Sequence, residues 1–437
     1  MQQLEKGSKK LLNAWAFYDW ANSVYSLVIA SAVFPIFYNA LFNEGQTHVS
    51  VFGSSVKGTA LISFTTAFAF LFVAFISPLL SGIADYSGNK KIFLKLFCYL
   101  GSLSCIGLYW FSLENIYWSL VCYFFGLVGF WGSLVFYNSY LPDIAHPEQQ
   151  DDVSAKGYSM GYIGSVFLLV FNLAMVMFPD VFGLEDSPGE PAAVKAMRLS
   201  FVSVGIWWIL FSQYTYYYLP KGTRKDKVTT DVMLNGFREL QKVWGQLKQN
   251  LTLKRYLGAF FVYSMAVQTV MLVATYFGAE EIAWGEGSAK HMGLIISILL
   301  IQIVAVGGAV ITSRLSKAYG NIQTLVGINI IWAVICVCAF FITLPIHFYI
   351  TAAFVGLVMG GIQSLSRSTY SKFLPETKDT ASFFSFYDVT EKIGIVIGML
   401  LYGAIDQIFG SMRYSVIFLT IFFVGGIFLL RRVLKKS

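Results

Sequence analysis

The sequence predicts an all-α membrane protein: twelve spanning helices in two bundles of six. Three observations carry this. Only 13% of the 437 residues are charged and 56% are hydrophobic, with a mean hydropathy of +0.64. A soluble domain carries roughly 25% charged residues, so half that value leaves too little polar surface to solvate a chain of this size. Apolar stretches of about 20 residues, long enough to cross ~30 Å of hydrocarbon as a helix, recur along the whole chain. One long hydrophilic stretch then divides them six and six.

The spans fall at 14–41, 58–83, 92–112, 116–140, 157–178, 198–219, 256–278, 291–313, 322–343, 347–371, 388–409 and 413–431. They are solidly apolar rather than alternating, which in lipid means helices and not a closed barrel. The first is read as a retained helix and not a secretory signal: Lys9, Lys10 and Leu11 lead into a polar and aromatic stretch, Asn13 to Ser26, with no small-residue cleavage site. All five cysteines (Cys98, Cys105, Cys122, Cys336, Cys338) lie within spans, where they read as small packing residues and not as disulfides or metal ligands.

Orientation follows the bias of Lys and Arg toward cytoplasmic loops. With the N-terminus inside, the inner segments hold Lys6, Lys9 and Lys10, then Lys90, Lys91 and Lys95, then Lys156. The central stretch adds Lys221, Arg224, Lys225, Lys227, Arg238, Lys242, Lys248, Lys254 and Arg255. The second half adds Arg314, Lys317, Arg367, Lys372, Lys378, Lys392, Arg431, Arg432, Lys435 and Lys436. These are 26 of the 31 basic residues. Only Lys57, Lys195, Arg198, Lys290 and Arg413 fall outside, beside acids such as Asp180, Glu185, Asp186, Glu190, Glu280, Glu281 and Glu286. A missed span would scramble this partition for every later loop. The expectation is a multi-pass protein of the plasma (bacterial inner) membrane with both termini cytoplasmic. The net charge of +7 is then a topology signal suited to anionic lipid, not a nucleic-acid one.

The chain divides into a first bundle (1–219), a linker (220–255) and a second bundle (256–437). Within the linker Met233, Phe237, Leu240, Trp244 and Leu247 recur at three and four residues, predicting an amphipathic helix on the inner membrane surface. The two bundles carry a weak internal repeat. Ala84-Asp85-Tyr86-Ser87-Gly88-Asn89 matches Ser316-Lys317-Ala318-Tyr319-Gly320-Asn321 at an offset of 232, and Leu141-Pro142-Asp143 matches Leu374-Pro375-Glu376 at 233. Such repeats are common in transporter folds.

Between spans two and three stands Gly82-x-x-Asp85-x-x-Gly88-Asn89-Lys90-Lys91. It resembles the inner-loop signature of the major facilitator superfamily. Gly82 permits close helix contact, Gly88 a tight turn, and Asp85 can face the positive end of a helix in the other half. The lysines are expected to anchor to lipid phosphates, and Lys392, at the start of span eleven, to meet Asp85. The second copy has Lys317 in place of Asp85. Asn13-Ala14-Trp15-Ala16-Phe17-Tyr18-Asp19-Trp20-Ala21-Asn22-Ser23 resembles the opening helix of the vacuole-effluxer-like family of that superfamily. Gly360-Gly361-Ile362-Gln363-Ser364-Leu365-Ser366-Arg367-Ser368 with Leu374-Pro375-Glu376 is similar to a second hallmark. Tyr140-Leu141-Pro142-Asp143 with Gly157-Tyr158-Ser159-Met160-Gly161-Tyr162 is similar to a third. The family includes exporters of amino acids from the fungal vacuole. The resemblance implies a major facilitator fold and export of amino acids or similar zwitterions, coupled to protons or sodium. In span seven, Met265 stands where some relatives carry an acid.

Ionisable side chains inside spans are functional candidates by default. Asp19, with Asn22 and Ser23 at i+3 and i+4 on its face, is expected to form a coupling-ion site; an interfacial packing acid beside Trp15 and Trp20 is the plainer alternative. Arg367 suits a substrate carboxylate, or else snorkels to lipid. Tyr18, Asn22, Gln268, Gln302 and Gln363 complete the expected substrate contacts, and the glutamines serve equally well as glue between helices. Gly82, Asp85, Gly88, Lys90, Lys91 and Lys392 form the expected gate. Gly157/Gly161, Gly356/Gly360 and Gly394/Gly398 have the spacing of close helix packing.

Enzyme chemistry finds no support. His48, His146, His291 and His347 lack metal-ligand spacing, and no phosphate loop or nucleophile elbow is present. The Ser54-x-x-Lys57 pair is an accident of composition. No cofactor or metal is expected, and the partners are the lipid bilayer and a small-molecule substrate, with the protein acting as a monomer. The alternatives to amino-acid export are a glycoside–cation symporter and a non-transporting membrane scaffold or sensor with the same fold.

Overall fold

The structure is a computed structural model that describes residues 4–42, 48–222, 231–285 and 289–434. Arg224, Lys225, Lys227, Glu286, Lys435 and Lys436 lie outside these. Among the described residues twelve helices are long and apolar enough to cross a membrane. In order, spans one to six are Lys9–Ala40, Gly58–Ser87, Lys90–Trp110, Ile116–Ile144, Gln150–Met177 and Ala192–Tyr218. Spans seven to twelve are Leu251–Glu281, Met292–Tyr319, Asn321–Phe341, Pro345–Phe373, Thr380–Phe409 and Met412–Leu434.

Every predicted segment falls on a helix, but spans five, six and eleven start six to eight residues earlier than apolar content alone places them. Charged residues stand within or directly after those added turns, and partners make them tolerable. Lys156 donates to Asn13 Oδ1 at 2.6 Å, Arg198 Nε meets Glu190 at 2.5 Å, and Asp388 pairs with Lys392 one turn on. A two-stranded hairpin, His48–Val51 with Ser54–Lys57, lies in the loop between spans one and two.

Each half builds its own core. Trp15, Tyr137 and Trp208 are fully buried in the first, and Tyr256, Trp332 and Tyr370 in the second. The halves meet where span five packs on eight and ten, and span eleven on two and four. Glycines set the closest approaches. A side chain at Gly356 or Gly360 would run into the backbone of span eight, so the small-residue spacing marks real contacts. At the repeated loop both copies turn through a left-handed glycine, Gly88 at φ 65° and Gly320 at φ 84°.

The linker helix, Asp231–Gln249, packs along span two. Its buried stripe is Val243 and Leu247, while Phe237 and Trp244 are half exposed. Lys242 donates to Asp379 at 2.8 Å and Glu239 at 2.6 Å, and the bond to Asp379 foremost holds its ammonium above its ordinary pKa. One helix thus touches the first bundle and the loop that opens span eleven. Both described ends lie on one face, hereafter the terminal face: Lys6 donates to Pro142 O at 2.7 Å and Arg255 to Arg432 O at 3.2 Å.

The even span count puts Glu148, in the loop between spans four and five, on the terminal face and Ser187, in the loop between five and six, on the opposite one. In a Cys338→Ser background, cysteines at Glu148 and Ser187 are expected to react with an impermeant maleimide from opposite sides of intact cells. Ser187 should react from outside. Reaction of both from the same side contradicts the twelve-span arrangement.

Candidate functional site

Between the bundles lies a cavity of about 1440 Å3, its open mouth included. Its walls come from both halves. The first supplies Asp19, Asn22, Ser23, Ser26, Trp131, Asn138, Tyr158 and Tyr162; the second supplies Tyr263, Gln268, Gln302, Gln363, Arg367, Asp388 and Glu391. Span one is wound as a π-helix over Tyr25–Val33, and Ser26, Leu27, Ala30 and Ser31 of that segment line the wall. Such wide turns are rare and cluster at functional sites.

The floor is an ion pair. Arg367 of span ten is 2% exposed and Asp19 of span one 4%. Arg367 Nη1 and Nη2 reach Asp19 Oδ2 at 3.3 and 3.4 Å. The guanidinium also donates to Ser154 Oγ at 2.9 Å, Ser154 O at 3.0 Å and Asn138 Oδ1 at 3.2 Å. Tyr137 OH donates to the same Asp19 oxygen at 2.8 Å. Trp15, Tyr137 and Tyr158 bracket the guanidinium carbon, their ring centroids 4.8, 5.5 and 4.3 Å away, a cation–π arrangement favoured in a desolvated site. Span five comes this close because residue 157 is glycine: a Cβ there would sit 3.1 Å from Arg367 Nη2 and from Tyr137 OH.

Asp19 is therefore not the lone carboxyl that the sequence suggested. Asn22 and Ser23 line the same cavity, but Ser23 Oγ donates to Asn22 Oδ1 at 3.4 Å rather than to Asp19. Tyr18 is a correction. It lies outside the cavity, fully buried, with its ring against Tyr137 at 4.9 Å and Tyr216 at 6.3 Å. One residue is ~100° around a helix, so when Asp19 faces the cavity Tyr18 turns into its own bundle. Gln363 accepts from Tyr162 OH at 2.6 Å, Gln268 donates to Glu391 at 2.7 Å, and Gln302 is on the wall.

A second polar layer closes the terminal face beneath this floor. Asp85 accepts from the backbone N–H groups of Ala381 at 3.2 Å and Ser382 at 2.7 Å, in the first turn of span eleven, where those donors have no helical acceptor. Lys90 pairs with Asp143 and donates to Thr380 Oγ1 at 2.6 Å. Lys91 caps Leu219 O at 2.9 Å, so neither lysine serves as the expected phosphate anchor. Gly82 is buried in span two. In the mirror-related place, Asp151 holds Lys372 at 2.5 Å, Asn321 at 2.9 Å and Ser316 at 3.1 Å, while Asp152 takes Ser313 at 2.6 Å and Lys317.

Lys392 is the second correction. Span eleven begins at Thr380, so Lys392 lies about 18 Å up the helix at ~1.5 Å per residue. It is 1% exposed, paired with Asp388 and 4.0 Å from the ring centroid of Trp131. Asp85 meets the start of span eleven through backbone N–H groups instead. Sequence reading missed Asp388, Glu391, Asn138, Ser154, Asp151 and Asp152. The first two were recoverable, because Asp388 and Glu391, followed by Lys392, all fall inside the span predicted at 388–409.

Comparison with known proteins places this architecture. A family model described as vacuole effluxer Atg22 like matches residues 7–436, nearly the whole chain. The chain belongs to this family. It is 32% identical over 433 residues to YxiO, an MFS-type transporter of Bacillus subtilis (strain 168), covering 97% of this chain and 95% of that one. It is 22% identical to autophagy-related protein 22-1 of Phaeosphaeria nodorum, covering 94% and 88%. Among solved structures, the E. coli fucose:proton symporter superposes with a TM-score of 0.67 at 16% identity, covering 97% of each chain. The proton:xylose symporter XylE gives 0.68 at 11%, covering 97% and 95%. The fold is that of the major facilitator superfamily, and this member of the vacuole-effluxer-like family is a multi-pass transporter of that superfamily.

The closing layer has a direct test. Removing the charge of Asp85 weakens its hold on the span-eleven N-terminus, an interaction of about 0.3–1 kcal/mol and up to ~2 when partly buried. With a cysteine at Asn138 on the cavity floor, Asp85→Asn is expected to raise alkylation from the terminal face several-fold at equal protein levels. An unchanged rate reduces the loop to an ordinary turn.

Proposed function

We propose that this transporter exports amino acids or similar small zwitterions by alternating access, from a cytoplasm that holds both termini. The observation that carries the reading is the buried Arg367–Asp19 pair at the floor of a cavity walled by both bundles. Both hydrogen bonds from Arg367 to Asp19 fall on one oxygen, at 3.3 and 3.4 Å. Charge-assisted bonds of this kind ordinarily measure about 2.7–2.9 Å. The guanidinium is thus positioned but not bound in its preferred two-pronged mode. A substrate carboxylate can offer two oxygens to the fork and displace Asp19, which keeps Tyr137 as donor.

The polar groups for the rest of a zwitterion are at hand. Asn22 is 1% exposed, its Nδ2 lacks a hydrogen-bond partner, and it lines the cavity with Gln268, Gln302 and Gln363. In this reading the two halves, 1–219 and 256–437, rock about the cavity as bundles, with 220–255 as the strap between them. The Asp85 and Asp151 layers are gates that open when the cavity faces the cytoplasm. The membrane is the bacterial inner membrane, the unit a monomer, and flux is coupled to protons or sodium. A neutral glycoside gives Arg367 nothing to exchange for Asp19, and a scaffold has no use for a polar cavity built around a displaceable ion pair.

Purified protein in liposomes, preloaded with one unlabelled amino acid at a time and supplied with the labelled form outside, tests the reading by counterflow. At least one zwitterionic amino acid should exchange. Arg367→Lys keeps the charge but loses the planar fork, so the apparent affinity should fall about ten-fold or more, as expected for ~1.5–3 kcal/mol of lost charged hydrogen bonding. No exchange of any amino acid, or an unaltered affinity in the variant, overturns the assignment.

A further inference from the structure

The charges around the cavity do not balance. Arg367 answers Asp19. On the opposite wall span eleven presents Asp388 and Glu391, both lining the cavity, and Lys392 alone stands against them. Its ammonium pairs with Asp388 Oδ1 and lies 3.7 Å from Glu391 Oε2. One cation therefore serves two carboxylates, and the wall carries a net charge of −1.

The deficit is localised. Asp388 is 6% exposed, and its second oxygen, Oδ2, is buried with no hydrogen-bond partner. Leaving a buried charged acceptor unpaired costs more than leaving a neutral one so. Glu391 is held in place by Gln268 Nε2 at 2.7 Å. Among the described residues no other Lys or Arg comes within ion-pair distance of Asp388 or Glu391. Span seven brings Tyr263 and Gln268, span four the ring of Trp131, and span five Tyr158 across the cavity. The one acid of span two near span eleven, Asp85, is bonded to its first turn. Arg413 of span twelve is bound to Glu281 at 2.8 Å at the far end, and Lys242 of the linker helix to Asp379.

We propose that Asp388 and Glu391, with Gln268, form the coupling-cation site, taking one monovalent cation, a proton or Na+, while Asp19 serves the substrate pair with Arg367. The site sits where coupling needs it. It lines the same cavity as Arg367 but on span eleven, the helix whose first turn is gripped by Asp85 and Lys90 through Ala381, Ser382 and Thr380. Filling it removes the unpaired charge from the wall that must move. A proton would be taken as H+ by a carboxylate oxygen and released as H+ on the other side, and Na+ would enter and leave as the ion. The inference rests on the coupled-transport reading above but not on its choice of substrate.

Infrared difference spectroscopy on purified protein in lipid, with no substrate present, tests it in two arms. In the proton arm K+ buffer is acidified within the range where exposed carboxylates stay ionised, roughly pH 6 and above given ordinary values near ~4. In the sodium arm Na+ replaces K+ at fixed pH. One arm is expected to convert a carboxylate to its acid or to shift its stretching band. Asp388→Asn and Glu391→Gln should abolish or displace that change, and Asp19→Asn should retain it. Glu391→Asp, which keeps the charge, must give a displaced band, and it serves if the amide variant does not fold. No change in either arm, or a change that survives at 388 and 391 and vanishes with Asp19→Asn, overturns the site. Amino-acid counterflow can fail while this signal stands, and the reverse, so the two proposals fail separately.

Discussion

A guanidinium buried between two helix bundles must be satisfied by whatever surrounds it, and at Arg367 the hydrogen-bond partners come from the other bundle. Its donors go to Asp19, Asn138 and Ser154, on spans one, four and five. Taking such an ion out of water costs several kcal/mol, repaid only by good geometry and full hydrogen bonding. The surrounding structure follows from that requirement. Gly157 admits the approach of span five, Trp15 and Tyr158 cover the faces of the cation, and the register of span ten against the first bundle is fixed. The state described here, closed at the terminal face, is therefore held by one expensive contact at the cavity floor. In the proposed cycle a state open to that face breaks it, and a ligand that replaces Asp19 removes the cost of doing so.

The layer below is built from cheaper parts. Exposed and half-exposed ion pairs contribute about 0–1 kcal/mol each, and charge–dipole contacts little more. Such bonds can be remade every cycle. The two repeats use the same place with opposite charge. In the first copy the loop acid Asp85 meets bare N–H groups at the start of span eleven. In the second the loop base Lys317, 232 residues on, meets Asp152 at the start of span five. The substitution of lysine for aspartate in the second copy is matched by a carboxylate at the partner helix, so each loop sets its charge against the start of the facing helix.

The helices were legible because spanning lipid imposes one length and one chemistry, and the repeat was legible because each copy carries a glycine of positive φ, Gly88 and Gly320, at the same place. Asp19 and Arg367 were legible singly, as charges within apolar runs, but not as a pair: nothing in the spacing of residues 19 and 367 says that their helices cross. Tyr18 was misplaced because a neighbour in sequence is turned ~100° away on a helix. Lys392 was misplaced, and Asp388 and Glu391 overlooked, for one shared reason. Apolar content starts the span at 388, eight residues late, so all three residues read as its solvated first turn, although they pair with one another inside the helix and two of them line the cavity. Ser154 and Asn138, neutral and common in packed spans, carry no sequence signal for a site.

The central claim, that the Asp19–Arg367 pair is one unit on which the closed state depends, is tested most directly by a double-mutant cycle. Thermal unfolding in detergent would be followed for Asp19→Asn, Arg367→Gln and the two combined. Removing one partner leaves an uncompensated buried charge, a loss of about 3–5 kcal/mol. The double variant, with no charge left to strand, is predicted to melt above at least one of the single variants. Losses that simply add in the double variant would show two independent residues and contradict the account.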